Sequence, residues 1–228
     1  MGTAAADPGV AAEKPAHVVT VASFAIDATE VTVAAYKACV DAAACSATDL
    51  VSERHGRLNQ EYCTWGRPGL EQHPITCVDW DEAVAYCRWL GKELPTEEQW
   101  EYAARGAEGR NFPWGPGAPG QRWALPPAVE DTIGCACPPL HSTPTCAVGA
   151  FPAGDTKDGV KDLSSNVAEW TRSDFCPYAK PGCDATEKVV RGGSCSRSSF
   201  REEHRGASRT GNLPTVKRSG IGFRCVEP

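Results

Sequence analysis

The chain has 228 residues, of which 41% are hydrophobic and 23% charged, and its formal net charge is −6 at pH 7. This composition predicts a globular core, and the acidic balance argues against nucleic acid as the general partner. No apolar run approaches the roughly 18 residues that a membrane-spanning helix requires.

Cysteine usage points to an oxidising compartment. Twelve cysteines are spread between Cys39 and Cys225, and an even number at this density is typical of disulfide-bonded proteins. We therefore expect an extracytoplasmic protein, which would be periplasmic, attached to a cell surface or secreted. A cytosolic zinc protein is the competing interpretation, but the sequence contains no CxxC pair.

The first residues differ in composition from the rest of the chain. Residues 1–16 are rich in alanine, proline and glycine and carry no signal sequence in this numbering. We predict that they form a disordered leader and that residues 17–228 form one domain. The alternation in HVVTVASFAI, residues 17–26, predicts a strand with Val19 and Val21 inward, and Phe24 is a further inward candidate.

Helix signals follow. Thr32 is a candidate N-cap, after which Tyr36, Cys39 and Val40 lie on one helical face. Further along, Asp79-Trp80-Asp81-Glu82 has the pattern of a capping box. Gly91 is expected to end that helix at about residue 90. Its inward residues would be Ala83, Tyr86, Cys87 and Leu90.

A second capping box, Thr96 with Gln99, predicts another helix that stops at Gly106. Glu97 and Glu98 are interpreted as favourable charges at the positive end of this helix. Many glycines and prolines elsewhere predict irregular loops. The fold class expected from these signals is α+β, with few short strands and little regular secondary structure.

Four side chains of metal-binding types, three cysteines and one histidine, stand close together in the following loop. Thiolates and imidazoles at such spacings bind zinc or copper, although disulfides explain the cysteines better and CxC does not easily pair with itself. These residues are Cys135, Cys137, His141 and Cys146.

The stretch from residue 189 to residue 226 is an arginine-rich loop between two short apolar runs. Loops on β scaffolds often carry binding sites, so its basic and imidazole side chains are candidates for binding a ligand. The alternative is a solvated basic loop without a binding role. The candidates are Arg197, Arg201, His204 and Arg205.

Several segments in register resemble the formylglycine-generating enzyme, or sulfatase-modifying factor, family. They are CVDWDEAVAYCRWLGKELPTEEQWEYAARG, FPWG, VGAFPAG, DLSSNVAEW, RGGS and GFRC. The resemblance implies a variant of the C-type-lectin fold. It also implies that active members oxidise a substrate cysteine to formylglycine, using O2 and a copper ion held by two cysteines.

The copper site of that family is not complete in this sequence. Ser194 matches the family serine, but the positions three and eight residues beyond it hold Arg197 and Glu202 instead of cysteines. Cys195 approximates one copper ligand at best, and Ala168 stands where the family usually has a tryptophan. Copper is therefore not expected, and Ser194 and Cys195 are left as weak catalytic candidates.

Calcium is the cofactor that the resemblance favours. The family wraps a calcium ion with the turn that matches DLSSNVAEW, and acidic oxygens suit this ion. Carried over, Asp162 and Glu169 would bind by side chain, and Ser165 and Val167 by carbonyl. The alternative is a capped turn with two solvated acids.

Cys87 and Cys225 match family positions that are joined by a disulfide where both are cysteines, so we predict that pairing. Cys176 with Cys183 is a second prediction, made from proximity alone.

Two functions remain open. The first is a monomeric, calcium-stabilised module that binds a protein or peptide ligand on a bacterial surface or in a periplasm. The second is a divergent copper or nonheme iron oxidoreductase that acts on a thiol substrate with O2.

Overall fold

A four-stranded sheet, flanked by two tandem helices, positions the site. The computed structural model describes residues 1–4, 11–47, 49–50, 52–54, 57–59, 62–116, 137, 145–194 and 204–227. The α-helices of these ranges are α1 (Val33–Asp41), α2 (Trp80–Trp89) and α3 (Glu97–Arg105), and short 3-10 helices span Ala11–Glu13 and Pro152–Gly154. The strands are β1 (Ala25–Ile26), β2 (Ser52–Arg54), β3 (Arg57–Asn59), β4 (Ala168–Asp174), β5 (Lys188–Arg191), β6 (Arg209–Asn212), β7 (Ile221–Gly222) and β8 (Val226–Glu227).

The sheet has the order β6-β5-β4-β7, in which β7 runs parallel to β4 and the other neighbours are antiparallel. Two further pairs, β1 with β8 and β2 with β3, form separate antiparallel ribbons. The α+β class with short strands is confirmed, and the β1–β8 pair brings the two ends of the domain together.

The helix boundaries follow their local sequence signals closely. Both predicted capping boxes form, with Asp79 and Thr96 each accepting a hydrogen bond from the third backbone N–H of its helix. Leu90 is 44% exposed, so its inward placement was wrong. The reason is that α2 ends at Trp89, and Leu90 is the C-cap before Gly91, whose φ is +73°.

The predicted strand over residues 17–26 is much shorter in the structure. Only Ala25 and Ile26 pair, opposite Glu227 and Val226, and Val18 is 97% exposed. Since β8 is two residues long, the upstream alternation has no partner strand in the described ranges, and isolated strands are not stable.

Aromatic side chains join the helices to the C-terminal strands in the main core. The ring of Tyr86 in α2 stacks on Tyr36 in α1 at 5.7 Å and meets the edge of Phe223 at 5.4 Å. Ile75 and Trp170 are also fully buried in this cluster. Each such side chain contributes on the order of 2 kcal/mol through burial.

The described N-terminal residues, which fall within the predicted leader, contact the domain. Residues 1–4 and 11–16 pack on the domain, because Glu13 forms a buried ion pair with Arg205 and the Gly2 N–H donates to Glu101. These polar contacts span distances in the chain that composition alone does not encode.

Five disulfides crosslink the described part of the chain, and none of its cysteines carries a free thiol. The pairing of Cys87 with Cys225 is confirmed, with 5.6 Å between their Cα atoms, and so is that of Cys176 with Cys183. The other pairs are Cys39–Cys45, Cys63–Cys77 and Cys137–Cys146.

The disulfide between Cys137 and Cys146 removes two thiols from the possible zinc or copper group. Cys135 and His141, the other members of that group, lie outside the described residues. In the ranges that are described, no helix has the length and apolarity to cross a membrane.

The two predicted disulfides should differ in their effect on stability. The Cys87–Cys225 bond closes a separation of 138 residues and the Cys176–Cys183 bond one of 7. Loop-closure entropy gives upper figures of about 5 and about 2 kcal/mol, respectively. The double variant C87S/C225S should therefore lose more free energy of unfolding in urea than C176S/C183S. Equal losses would contradict this assignment.

Candidate functional site

The turn that precedes β4 is held in an unusual backbone conformation. Asp162, Ser165 and Asn166 have φ values of +58°, +87° and +61°. Each such residue costs about 1 kcal/mol or more and persists only where its surroundings enforce it. Here the Ser165 N–H donates to the Gly192 carbonyl at 2.9 Å, which ties the turn to the loop after β5.

Asn166 connects this turn to two distant segments. Its side-chain oxygen accepts from the Cys146 N–H at 2.9 Å, and its amide donates to the Glu30 carboxylate at 3.0 Å. Asn166 and Glu30 are 136 residues apart in the chain, so this contact could not be inferred from spacing. Glu30 is a buried acid that the sequence interpretation missed.

The carboxyl groups of buried Glu30 and partly buried Asp162 lie side by side at the turn. Burial raises the pKa of Glu30 well above its usual range, and the neighbouring charge of Asp162 raises it further. Burial also raises the pKa of Asp162, against the effect of the Gly149 N–H, which donates to its Oδ2 at 2.5 Å. Oε2 of Glu30 is buried and accepts no hydrogen bond from the described residues.

Glu169, the other predicted acidic ligand, has a cationic partner. Its Oε1 accepts from Arg224 Nη2 at 2.8 Å. Its Oε2 accepts from Arg224 Nε at 2.8 Å and from Trp100 Nε1 at 2.9 Å. Burial would lower the pKa of Arg224, but the Glu169 carboxylate outweighs it and raises the pKa above its usual range.

The acidic groups at the turn differ in how many lone pairs they have left for binding calcium. A carboxylate oxygen has two lone pairs. Oε2 of Glu30 and the Asp162 carboxylate therefore retain acceptor capacity, whereas Oε2 of Glu169 already accepts two donors. Across the described ranges, no three or more His, Cys, Asp or Glu side chains are placed as a group to hold one metal ion.

The predicted ligand-binding residues are placed only in part. His204 is fully buried, and its carbonyl accepts from Ser164 Oγ at 2.7 Å. Arg205 is 8% exposed and donates to both carboxylate oxygens of Glu13, at 2.7 and 2.9 Å. Ser194, one catalytic candidate, is buried. The candidates Cys195, Arg197 and Arg201 lie outside the described residues.

A buried ion-pair network beside Arg205 was not predicted. Arg209 binds Glu97 through two hydrogen bonds, at 2.6 and 2.8 Å, and lies 4.1 Å from the ring centroid of Tyr178. Arg191 pairs with Glu101 and lies over the ring of Trp100 at 5.6 Å. Glu97 lies in the first turn of α3 as expected, but it also serves as the acceptor for a buried arginine.

Comparisons with known proteins agree with these segments and this fold. A family model described as a sulfatase-modifying factor enzyme 1-like domain matches residues 1–228. The chain is 31% identical to the formylglycine-generating enzyme of Streptomyces coelicolor, over 94% of this chain and 81% of that protein. It is 36% identical to the inactive C-alpha-formylglycine-generating enzyme 2 of Bos taurus, over 68% of this chain and 50% of that protein.

Among solved structures, PvdO from Pseudomonas aeruginosa is similar, with a TM-score of 0.75 and 25% identity. The match covers 99% of this chain and 89% of that one. The chain thus spans most of its bacterial relative but only about half the length of the bovine one.

His204 predicts a loss of stability in acid. Burial lowers the pKa of His204 to about 4, below the ordinary histidine value of about 6.5, and a hydrogen bond with the Gly192 backbone partly opposes this shift. Because the unfolded chain binds the proton more tightly, the stability is complete above about pH 6.5 and falls as the pH drops toward 4. The loss from this group should be on the order of 3 kcal/mol.

Urea unfolding between pH 4 and pH 7 would measure this slope. His204→Gln should flatten it, and His17→Gln, a change in a partly exposed histidine, should retain it. An unchanged slope in His204→Gln would assign the acid sensitivity to other groups.

Proposed function

The chain belongs to the sulfatase-modifying factor family, and on that premise we propose that it is a binding domain without formylglycine-generating activity. The observation that carries this proposal is the lack of two cysteines after Ser194, where Arg197 and Glu202 occupy the positions of the pair. Two thiolates suit the soft copper(I) ion, and guanidinium and carboxylate groups do not replace them. A bovine relative named as inactive is consistent with loss of activity in this family.

The proposed location is extracytoplasmic. Five disulfides in the described ranges support it, because reducing compartments disfavour structural disulfides. The Cys87–Cys225 bond fastens the C-terminal segment to α2, close to the strand that ends the chain's described part. Outside the cell, this crosslink would keep the C-terminal strand attached to the domain. Loss of that strand would expose the core.

The proposed ligand is a protein or peptide, and its binding face includes the arginine-rich loop. Arg205 belongs to that face and lies among the described residues, where it pairs with the carboxylate of Glu13 in the N-terminal part of the chain. His204 is buried, so its proposed role is to position the loop rather than to contact the ligand. Arg197 and Arg201 complete the proposed face from the sequence alone.

Calcium is the proposed stabilising ion. Asp162 would bind it by side chain together with the carbonyls of Ser165 and Val167, and Glu169 would contribute its remaining acceptor capacity. Glu30 is added here as a further candidate, because its Oε2 is buried beside Asp162 without a hydrogen bond from the described residues. The cation would supply the positive charge that relieves the repulsion between these two carboxylates.

A divergent oxidoreductase is the second candidate function. The observation that favours it is the 31% identity to a formylglycine-generating enzyme over 94% of this chain. In this alternative, Cys195 beside Ser194 would supply one thiolate to copper or nonheme iron. Any oxidation would consume O2 and a substrate thiol.

The two functions predict different results in an oxidation assay. We expect that the protein, after incubation with copper(I) or iron(II) and desalting, retains no stoichiometric metal. We also expect no O2 consumption with a cysteine-containing peptide, because two thiolate ligands are missing. The Streptomyces coelicolor relative serves as the positive control. Stoichiometric metal together with thiol-dependent O2 consumption would favour the oxidoreductase instead.

The calcium proposal predicts a melting temperature that depends on the ion. Chelation should lower it, because a ligand bound only by the folded state adds about 2.7 kcal/mol at one hundred times its Kd. Asp162→Asn and Glu30→Gln should each abolish the response, whereas the exposed control Asp158→Asn should keep it. Differential scanning calorimetry would measure these melting temperatures. Identical calcium responses in Asp162→Asn and Asp158→Asn would exclude Asp162 as a ligand.

A further inference from the structure

The N-terminal segment, defined as residues 1–4 and 11–17, is held by its backbone. The Gly2 N–H donates to Glu101 Oε1 at 2.8 Å, and the Gly2 carbonyl accepts from Arg105 Nη1 at 2.9 Å. The Ala12 carbonyl accepts from Arg209 Nη1 at 3.2 Å. The domain thus contributes side-chain groups to these three bonds and the segment contributes main-chain groups.

One side chain of the segment makes a specific charged contact. Glu13 is 1% exposed, and its carboxylate accepts two hydrogen bonds from Arg205 Nη2. The other side chains of residues 11–16 are short or polar, since this stretch is AAEKPA. Apolar burial therefore contributes little to its attachment, in contrast to the aromatic core around Tyr86.

The surface beneath the segment forms a polar groove with an excess of positive charge. Four arginines and two glutamates give it a net charge of +2 (4 − 2), and Glu13 offsets one unit of that charge. Nε of Arg205 is buried and has no hydrogen-bond partner in the described part of the chain. The lining residues are Glu97, Glu101, Arg105, Arg191, Arg205 and Arg209.

Close approach of the backbone is built into this arrangement. Gly2 has a φ of +75°, and a Cβ there would lie 2.6 Å from the Glu13 carbonyl oxygen and 3.0 Å from the ring of Tyr178. The ring of His17 meets the same Tyr178 edge-on at 4.7 Å. Val18, directly after it, is 97% exposed, so the segment ends where its contacts with the groove end.

We propose that this polar groove is a binding site for an acidic peptide, which the N-terminal segment occupies as an internal ligand. Main-chain hydrogen bonds such as those of Gly2 and Ala12 would contribute affinity, and the guanidinium of Arg205 would select a carboxylate at one position. An acidic peptide of a partner protein would then compete with Glu13. The inference rests on the proposed binding function and specifies the class of ligand.

The experiment converts the segment into a separate ligand. A protease recognition sequence is inserted between Val18 and Val19 in the full chain, at an exposed position, and the folded protein is then cleaved. We expect the fragment to dissociate on dilution while the remainder keeps its near-ultraviolet circular dichroism. A synthetic peptide of residues 1–18 should rebind, and more weakly as the salt concentration rises.

Peptide variants test the recognition of the carboxylate. Glu13→Gln in the peptide should weaken binding by about 30-fold or more, because it leaves buried Arg205 without its anion. Val18→Gln, a change at an exposed position, should bind like the parent peptide. An unrelated peptide with one central glutamate should compete, and its glutamine version should not.

Three results would overturn the proposal. They are unfolding of the remainder when the fragment leaves, equal affinity of the parent and Glu13→Gln peptides, and failure of the unrelated acidic peptide to compete. The first would make the segment an integral part of the fold. None of these results bears on the metal and O2 assay, which tests the proposed function separately. A ligand that binds elsewhere on the arginine-rich loop would still be detected, because it would bind while the N-terminal segment stays in place.

Discussion

The buried ion pair between Glu169 and Arg224 is the interaction on which the rest of the structure depends. Both side chains are fully buried, and the pair joins β4 to the segment between β7 and β8. Trp100 of α3 donates to the same carboxylate, and Arg224 also donates to the carbonyls of Asp27 and Lys161. Removing one partner of such a pair costs about 3–5 kcal/mol, since the other charge stays buried without compensation.

The same use of charge extends from the core to the groove. Arg191 and Arg209 are buried against the glutamates of α3, so these two arginines of the basic C-terminal region hold the sheet against that helix. Arg205 differs because its carboxylate comes from the N-terminal segment instead of from α3. Because the N-terminal segment makes few apolar contacts, its Glu13 carboxylate is the one that a carboxylate of an external peptide can replace.

The turn before β4 combines backbone strain with adjacent acids. Three residues with positive φ and the carboxyl groups of Glu30 and Asp162 lie within one hydrogen-bonded unit. Strain and like-charge repulsion both raise the free energy of this unit. A bound cation would offset the second cost, which gives calcium a physical role in the proposal that is separate from the family resemblance.

The sequence by itself determined the helices and their caps, because a capping box such as Asp79 with Glu82 satisfies backbone donors within four residues. The pairing of Cys87 with Cys225 came from the family resemblance and has no local signature. Only the tertiary structure decided that residues 17–24 have no partner strand among the described residues, that Glu30 faces Asp162 and that Glu13 binds Arg205. Each of these depends on groups far apart in the chain, where neither periodicity nor spacing specifies which buried charge meets which partner.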